Sequence, residues 1–419
     1  MNIPHRGILL AMAGLLAGVV PVAAQEARRV TLEEAIRLFA TNNIELRLAR
    51  ADAAEAAALA TQAAAWPNPA LVATHEPLSA GGWSYSETYL NLSQRLEWPG
   101  TRAARRESAE QGATAAAAGL AADSARLAFE VKRAWTGAAM AERAEAVLGR
   151  VTEVFREGER SADERFSGGD ISLYDRGRIR VERLRYETRL AEAAIEAAAA
   201  RRRLAQLIDP AGQTIEMGPA DSLSGSPAAV AADRVLARAL ARRAEIAAAE
   251  AALASARAGA SVARGERIPD VTATGGLKNQ SDGLTGAFLG LSIPLPLWDR
   301  RDGAIDAADA RVAAAGHRIS LIRRQVESDV RRALDVYTSL AERARLYGPA
   351  DEAVDLLDIA RVAYGEGEME LIDLLDAAEA LSDAQIAEIR LRADLWTSYY
   401  DLERAVGGFD GPMNGRDER

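Results

Sequence analysis

The sequence predicts a mainly α-helical protein with a membrane β-barrel portion, built from two tandem copies of one helix-strand-strand-helix-helix unit. Three observations predict it. The chain repeats itself at an offset of about 200 residues. Its long alanine-rich stretches carry heptad spacing. Each copy also holds a pair of alternating segments that end in a tryptophan- and proline-bearing corner.

The first element is an export signal. Arg6 supplies the positive n-region, and "GILLAMAGLLAGVVPVAA" (Gly7 to Ala24) is a short apolar core ending in small residues. Val22 and Ala24 fit the −3 and −1 positions, so cleavage is expected between Ala24 and Gln25, and residues 1–24 read as a signal peptide. A membrane anchor is the competing reading, but glycines and Pro21 interrupt the run. No later stretch reaches the ~18 apolar residues of a spanning helix. With no cysteine in the chain, neither a disulfide nor a lipidated cysteine is expected. Any membrane span must therefore be made of strands.

The repeat is direct. "ELRLARADAAEAAALATQAAAWPNPALVAT" (Glu45 to Thr74) aligns with "EIAAAEAALASARAGASVARGERIPDVTAT" (Glu245 to Thr274), Pro69 falling on Pro269. "RFSGGDISLYD" aligns with "AYGEGEMELID", pairing Phe166 with Tyr364, Gly169 with Gly367, Leu173 with Leu371 and Asp175 with Asp373. The first repeat is placed at 30–209 and the second at 229–407. A Pro/Gly/Ser-rich linker (210–228) joins them, and 408–419 reads as a disordered tail.

Within the first unit, one helix is expected over Thr31 to Ala65. An extended segment "PALVATHEPL", a glycine-serine turn and "ETYLNLSQRL" follow. A very long helix starts near Thr101 and breaks at Ser167-Gly168-Gly169, and a return helix covers Asp170 to Ile208. Leu120, Leu127, Ala134, Ala141, Leu148 and Phe155 stand seven apart, the spacing of left-handed coiled-coil packing. At 1.5 Å per residue, a helix of ~60 residues is about 90 Å long, a length that suits a tube or a spacer.

The strands alternate. Val271, Ala273 and Leu277 oppose Thr272, Thr274 and Lys278; Leu289, Leu291, Ile293 and Leu295 alternate with Gly290 and Ser292; Leu90 and Leu92 alternate with Tyr89, Asn91 and Ser93. One apolar and one polar or small face suits a wall with lipid outside and water inside. Four strands cannot close, and an open edge in lipid is forbidden. Two copies would supply eight strands and three would supply twelve, enough for an aqueous lumen. The corners at Trp98-Pro99 and at Pro294, Pro296 and Trp298 lead strand into helix, and their prolines lack a ladder donor.

Other classes are disfavoured. The formal net charge of −10 argues against nucleic acid as a partner. His75 and His317 stand outside any ligand cluster, so no metal site and no cofactor is expected. Neither a nucleophile–base constellation nor a phosphate-binding glycine loop is evident, so the chain reads as a non-enzyme.

The duplication, the "NPAL" and "IPDV" strand starts, the two corners and the "G-x-x-x-L-x-D" turns resemble TolC-like outer-membrane factors over nearly the whole chain after its signal. "LSQRLEWPGTRAARRESAE" and "LSIPLPLWDRRDGAIDAADA" look most like the cobalt–zinc–cadmium heavy-metal branch. The resemblance implies a homotrimer with a 12-stranded β-barrel in the outer membrane, continuous with a long α-helical barrel in the periplasm. It implies outer-membrane lipid, a periplasmic adaptor and an inner-membrane pump of the resistance–nodulation–division class as partners. A periplasmic adaptor and a coiled-coil spacer of the envelope are the competing readings. Strands in the middle of both repeats count against the first, and the paired corners against the second.

The resemblance also implies site residues. Asp373 and Asp376 fall where the family's entrance aspartates lie, three apart and so on one helix face. Without the family, helix-dipole decoration is the favoured explanation of both. Asp175 is implied in a lock with an arginine, but that position holds Met369 here; Arg176 or Arg178 could substitute. Gly169 and Gly367 are expected to take positive φ at the hairpin turns. Phe166, Leu173, Tyr364 and Leu371 are assigned to the tips, the leucines packing the turn, and the tips as a whole are implied to meet the adaptor.

Overall fold

The computed structural model describes residues 28–208, 215–217, 225, 227, 230, 232–346 and 351–408. The signal peptide with its Ala24–Gln25 cleavage site, most of the linker and residues 409–419 of the tail lie outside the described residues.

The chain begins with β1 (Arg28–Val30), which pairs in parallel with β4 (Ile215–Met217). This little sheet lies partly in the segment read as a linker, and no periodicity announced it. Thr31 then caps α1 (Leu32–Asn42), its Oγ1 accepting from the Glu34 amide at 3.2 Å. The single helix expected over 31–65 is in fact two, because Asn43 leaves the helical region at ψ 124°. Its Oδ1 accepts from the Leu46 amide at 2.8 Å and restarts α2 (Ile44–Ala64). Its Nδ2 donates to the Leu207 carbonyl at 2.9 Å, which pins the kink to the return helix.

The second unit kinks at the matching place. α5 (Ala232–Arg242) and α6 (Ala244–Gly265) meet at Arg243, with ψ 122°. Arg243 is buried and donates to the Ala405 carbonyl at 3.2 Å, so a different side chain makes the same junction.

Four strands form one antiparallel sheet: β2 (Ala70–Ala80), β3 (Trp83–Leu96), β5 (Val271–Gln280) and β6 (Thr285–Ser292), in the order β2-β3-β5-β6. The glycine-serine turn is smaller than expected. Only Gly81 and Gly82 turn, both with positive φ, as a two-residue hairpin requires, and the flanking serines are strand. β6 stops at Ser292, so Ile293 and Leu295 lie beyond the alternation they were read into.

The two corners also differ. The first turns over Glu97 and Trp98, and Pro99 is the first residue of α3 (Pro99–Gly168). That proline starts the helix, where its missing N–H costs nothing, and the ladder has already ended at Leu96 opposite Val271. The second corner runs irregularly from 293 to 301, with Pro294, Pro296 and Trp298 inside it, before α7 (Asp302–Leu346).

α3 has 70 residues, about 105 Å at 1.5 Å per residue. Its heptad seam is real: Leu127, Ala134, Ala141, Leu148 and Phe155 are buried. α4 (Leu173–Ile208) starts three residues later than expected and returns along α3. α8 (Asp351–Gly365) and α9 (Leu371–Val406) complete the second unit. Three clusters of buried side chains hold the helices: one around Trp135, one around Phe155 and Tyr186 toward the hairpin tips, and one around Tyr337, Tyr399 and Tyr400.

The layers share one order. α2 feeds β2, β3 feeds α3, α6 feeds β5 and β6 leads to α7, and the helices pack in the order α2-α3-α6-α7. The strand wall therefore continues directly into a helical wall.

Candidate functional site

The sheet has two chemically distinct faces. Directly opposed residues share a face, so Leu71, Leu90, Leu92, Leu96, Leu277, Leu289 and Leu291 lie together. Nothing among the described residues covers them: Leu277 is 63%, Leu289 92% and Leu291 74% exposed. The reverse face carries Glu87, Tyr89, Asn91, Ser93, Thr272, Thr274 and Lys278. Trp66, Trp98 and Trp298 stand exposed at the helix end of the sheet, and Trp83 stacks on Tyr85 at the hairpin end, ring centroids 5.5 Å apart. Apolar outside, polar inside and aromatic at both rims is the pattern of a membrane barrel wall.

The corners hold this wall to the helices. Arg102 donates to the Ala64 carbonyl at 2.8 Å and Arg105 to Ala63 at 3.1 Å, which satisfies the open carbonyls at the end of α2. Arg105 also pairs with Glu97, and Arg102 lies over the Trp66 ring. Trp98 Nε1 donates to the Pro269 carbonyl at 3.1 Å and ties the first corner to the start of β5. In the second repeat Arg267–Asp302 at 2.9 Å and Arg301–Glu266 at 3.2 Å join α6 to the start of α7. The arginines opening α3 were visible in the sequence; their partners were not.

At the opposite end lie the two hairpin tips. Gly169 and Gly367 take φ 87° and 79°. Each closes its helix the same way: Gly169 N–H to Phe166 O with Asp170 N–H to Arg165 O, and Gly367 N–H to Tyr364 O with Glu368 N–H to Ala363 O. Phe166 is half-buried under the Arg176 guanidinium. Tyr364 is only 3% exposed, and burial pushes its hydroxyl above the ordinary tyrosine range. Tyr364 therefore packs the turn and presents no surface to an adaptor. Leu371 packs beside it, whereas Leu173, expected to pack its own turn, is 68% exposed with Tyr174 beside it. Ile171 takes the packing place instead, and Tyr174 is a surface feature the sequence reading missed.

The paired aspartates part company here. Ser172 Oγ accepts from the Asp175 amide at 3.1 Å and donates to the Asp175 carboxylate at 2.7 Å, a capping box at the start of α4. At the matching place in α9 stands Glu370, which makes no cap. The Asp373 carboxylate is left exposed without a hydrogen bond or ion pair among the described residues, and so are those of Asp376, Glu366, Glu368 and Glu370. The arginine side differs too. Arg176 pairs with Asp163 at 2.6 Å and Met369 packs into the tip core, so neither bonds to Asp175. In the first tip Glu159 is held by Arg180 and Arg183 and Asp163 by Arg176, so fewer free carboxylates stand there than on the second tip.

An uncovered apolar strand face, a polar reverse face, open sheet edges and a continuous helical wall together have the form of a membrane-channel wall. Residues 235–408 match the family described as outer membrane efflux protein. The chain is 27% identical to the cobalt-zinc-cadmium resistance protein CzcC of Cupriavidus metallidurans over 398 residues, 93% of each chain. The fold matches the outer-membrane channel OprN at TM-score 0.74, with 22% identity and 90% of each chain covered. It matches CusC, a protein solved for its transmembrane channel formation, at TM-score 0.72, with 20% identity over 94% of this chain and 96% of that one. The chain is therefore similar in sequence to outer membrane efflux proteins over its second repeat, and it shares the fold of TolC-like channels over nine-tenths of its length. These relatives are channels and a resistance protein, not enzymes.

Proposed function

We propose that three copies of this chain close into a duct that carries heavy-metal cations out through the outer membrane. The duct takes them from an inner-membrane pump of the resistance–nodulation–division class through a periplasmic adaptor. The observation that carries the reading is the two-faced sheet with unpaired edges at β2 and β6. Lipid requires those edges to be paired, and pairing β6 of one copy with β2 of the next leaves none open. The helical layer has the same need. Tyr174, Val181 and Leu184 expose an apolar stripe on α4, as Leu356, Ile359 and Val362 do on α8.

Cargo follows from charge and kinship. The second tip carries five unpaired carboxylates, and threefold repetition makes Asp373 and Asp376 two stacked acidic rings at the entrance. Such rings favour cations, in keeping with the cobalt, zinc and cadmium of the relative's name. The exposed Leu173 and Tyr174 beside Gly169 offer the adaptor an apolar foothold on the first tip.

Two measurements test this. The mass of the detergent-purified protein, from light scattering corrected for the micelle, should be that of three chains. Deletion of the gene should sensitise the host to zinc, cobalt or cadmium. A monomer absent from the membrane fraction, or unchanged metal tolerance, overturns the respective half of the proposal.

A further inference from the structure

Of the 51 basic residues in the chain, only Lys132 and Lys278 are lysines. Both are clamped alike: Lys132 pairs with Glu403 at 2.5 Å and lies 5.0 Å from the Tyr400 ring centre, and Lys278 pairs with Glu87 at 2.8 Å and lies 5.2 Å from the Tyr89 ring centre. The first clamp joins two helices. The second stands on the polar face of the sheet, where β3 of the first repeat meets β5 of the second.

Glu87 is densely bonded. Besides Lys278 it accepts from Gln280 Nε2 at 2.7 Å, from the Tyr85 hydroxyl at 3.0 Å and from the Tyr89 hydroxyl. Just beyond it Ser281 Oγ accepts from the Ser86 amide at 2.9 Å, and the Ser281 amide donates to the Ser86 carbonyl at 2.9 Å, which fixes the two hairpins side by side. A lysine suits this place. It brings one point charge to the carboxylate and leaves the remaining lone pairs to three neutral donors, where an arginine fork would claim two of them.

The level is set by register. Glu87 opposes Gln280 at the outer end of the β3–β5 ladder, near the hairpin turns and far from Leu96 at the helix end. Lying on the face opposite the lipid-facing leucines, Glu87 and Lys278 line the interior of a closed wall.

We propose that Lys278 sets the ion selectivity of the outer part of the duct by neutralising a ring of Glu87 carboxylates. Cations admitted at the acidic entrance then meet a charge-balanced collar on the way out and are not held there. This rests on the reading of the sheet as part of a multi-copy channel. A carboxylate ring in the exit would bind the cargo the duct must release, because conduction needs sites weak enough to leave.

The test uses the full-length protein in planar bilayers, with the reversal potential in a potassium chloride gradient and zinc added from either side. Lys278→Met leaves three bare carboxylates, so the cation-to-anion permeability ratio should rise by about twofold at low ionic strength, with new zinc block from the hairpin side. Glu87→Gln leaves three bare ammonium groups and should shift the ratio the opposite way. Lys278→Arg, and the double variant Lys278→Met with Glu87→Gln, should both stay near wild type. If wild type conducts and the two single variants keep its reversal potential, the collar idea is overturned, and the pair is only a staple between strands. If one variant fails to assemble, the other still decides the sign. If wild type forms no channel at all, the duct reading itself fails and takes the collar with it.

Discussion

Asp175 and Asp373 occupy the same place in the two repeats yet meet different surroundings. Ser172 turns the first into a helix cap, and its replacement by Glu370 leaves the second free. Their substitutions should therefore separate. Asp175→Ala should cost about 1 kcal/mol of stability, the amount typical of a lost cap, and so lower the thermal midpoint with selectivity unchanged. Asp373→Asn with Asp376→Asn should leave the midpoint alone, reduce cation preference and weaken block by multivalent cations in a planar bilayer. Unchanged selectivity in that double variant would sink the acidic-ring proposal. A second residue-scale effect concerns the kink at Arg243. Burial pushes the Glu245 carboxyl up, but hydrogen bonds from Arg243, at 2.6 Å, outweigh it and hold the group below its ordinary value of 4.5. A depressed carboxylate stabilises the fold above its unfolded value and loses that contribution as pH falls through 4.5 and then through its folded value. The melting difference between wild type and Glu245→Gln should therefore be full at pH 7 and shrink below about pH 4.5. A constant difference would mean that the ion pair contributes nothing.

Individual elements show what the sequence could reveal. The long helix, its heptad seam and the alternating strands were legible because each is a local periodic pattern with many residues voting together. The kinks at Asn43 and Arg243 were not. Both residues look like ordinary polar positions inside a helical run, and only their carbonyl partners at Leu207 and Ala405, distant in sequence, explain the break. Each stands two residues before the start of the aligned segments, Glu45 and Glu245, and nothing in the residue types marked a junction. The tip leucines misled for the opposite reason: Leu173 and Leu371 align, yet Ile171 fills the packing place in the first tip and Leu371 in the second. Gly276 in β5 is a further element-level requirement hidden from sequence. A Cβ there would lie 2.7 Å from the Leu90 carbonyl oxygen and 2.5 Å from Asn91 Oδ1, whereas one at Gly290 in β6 meets nothing within 4 Å. Gly276→Val should block pairing of β3 with β5 and abolish the trimer mass proposed for the detergent-purified protein in light scattering, while Gly290→Val should retain it. Equal behaviour of the two would show that close approach of the strands is not what demands the first glycine.

At the scale of the whole molecule, one chain exposes two kinds of apolar surface that need different solutions. Leu277, Leu289 and Leu291 on the sheet suit lipid, provided a further strand pairs with the open edge of β6. Val181 and Leu184 on α4 and Leu356 and Ile359 on α8 lie on the helical wall, where water would face them if no neighbouring chain did. A charge should therefore do different damage in the two places. Leu289→Glu puts a carboxylate into hydrocarbon, at a penalty smaller than the ~2–4 kcal/mol of an Arg or Lys at the midplane, and should reduce the fraction that enters the outer membrane. Val181→Glu with Ile359→Glu leaves the strands intact but places carboxylates on both helical edges that must meet between copies. The protein should then keep its helical circular dichroism and its membrane association. It should lose the trimer mass in light scattering or, if the barrel alone holds three copies together, gain susceptibility to protease along α4 and α8. A trimer with wild-type mass and unchanged protease resistance would mean that these edges do not face one another, and that the helical wall closes through other surfaces.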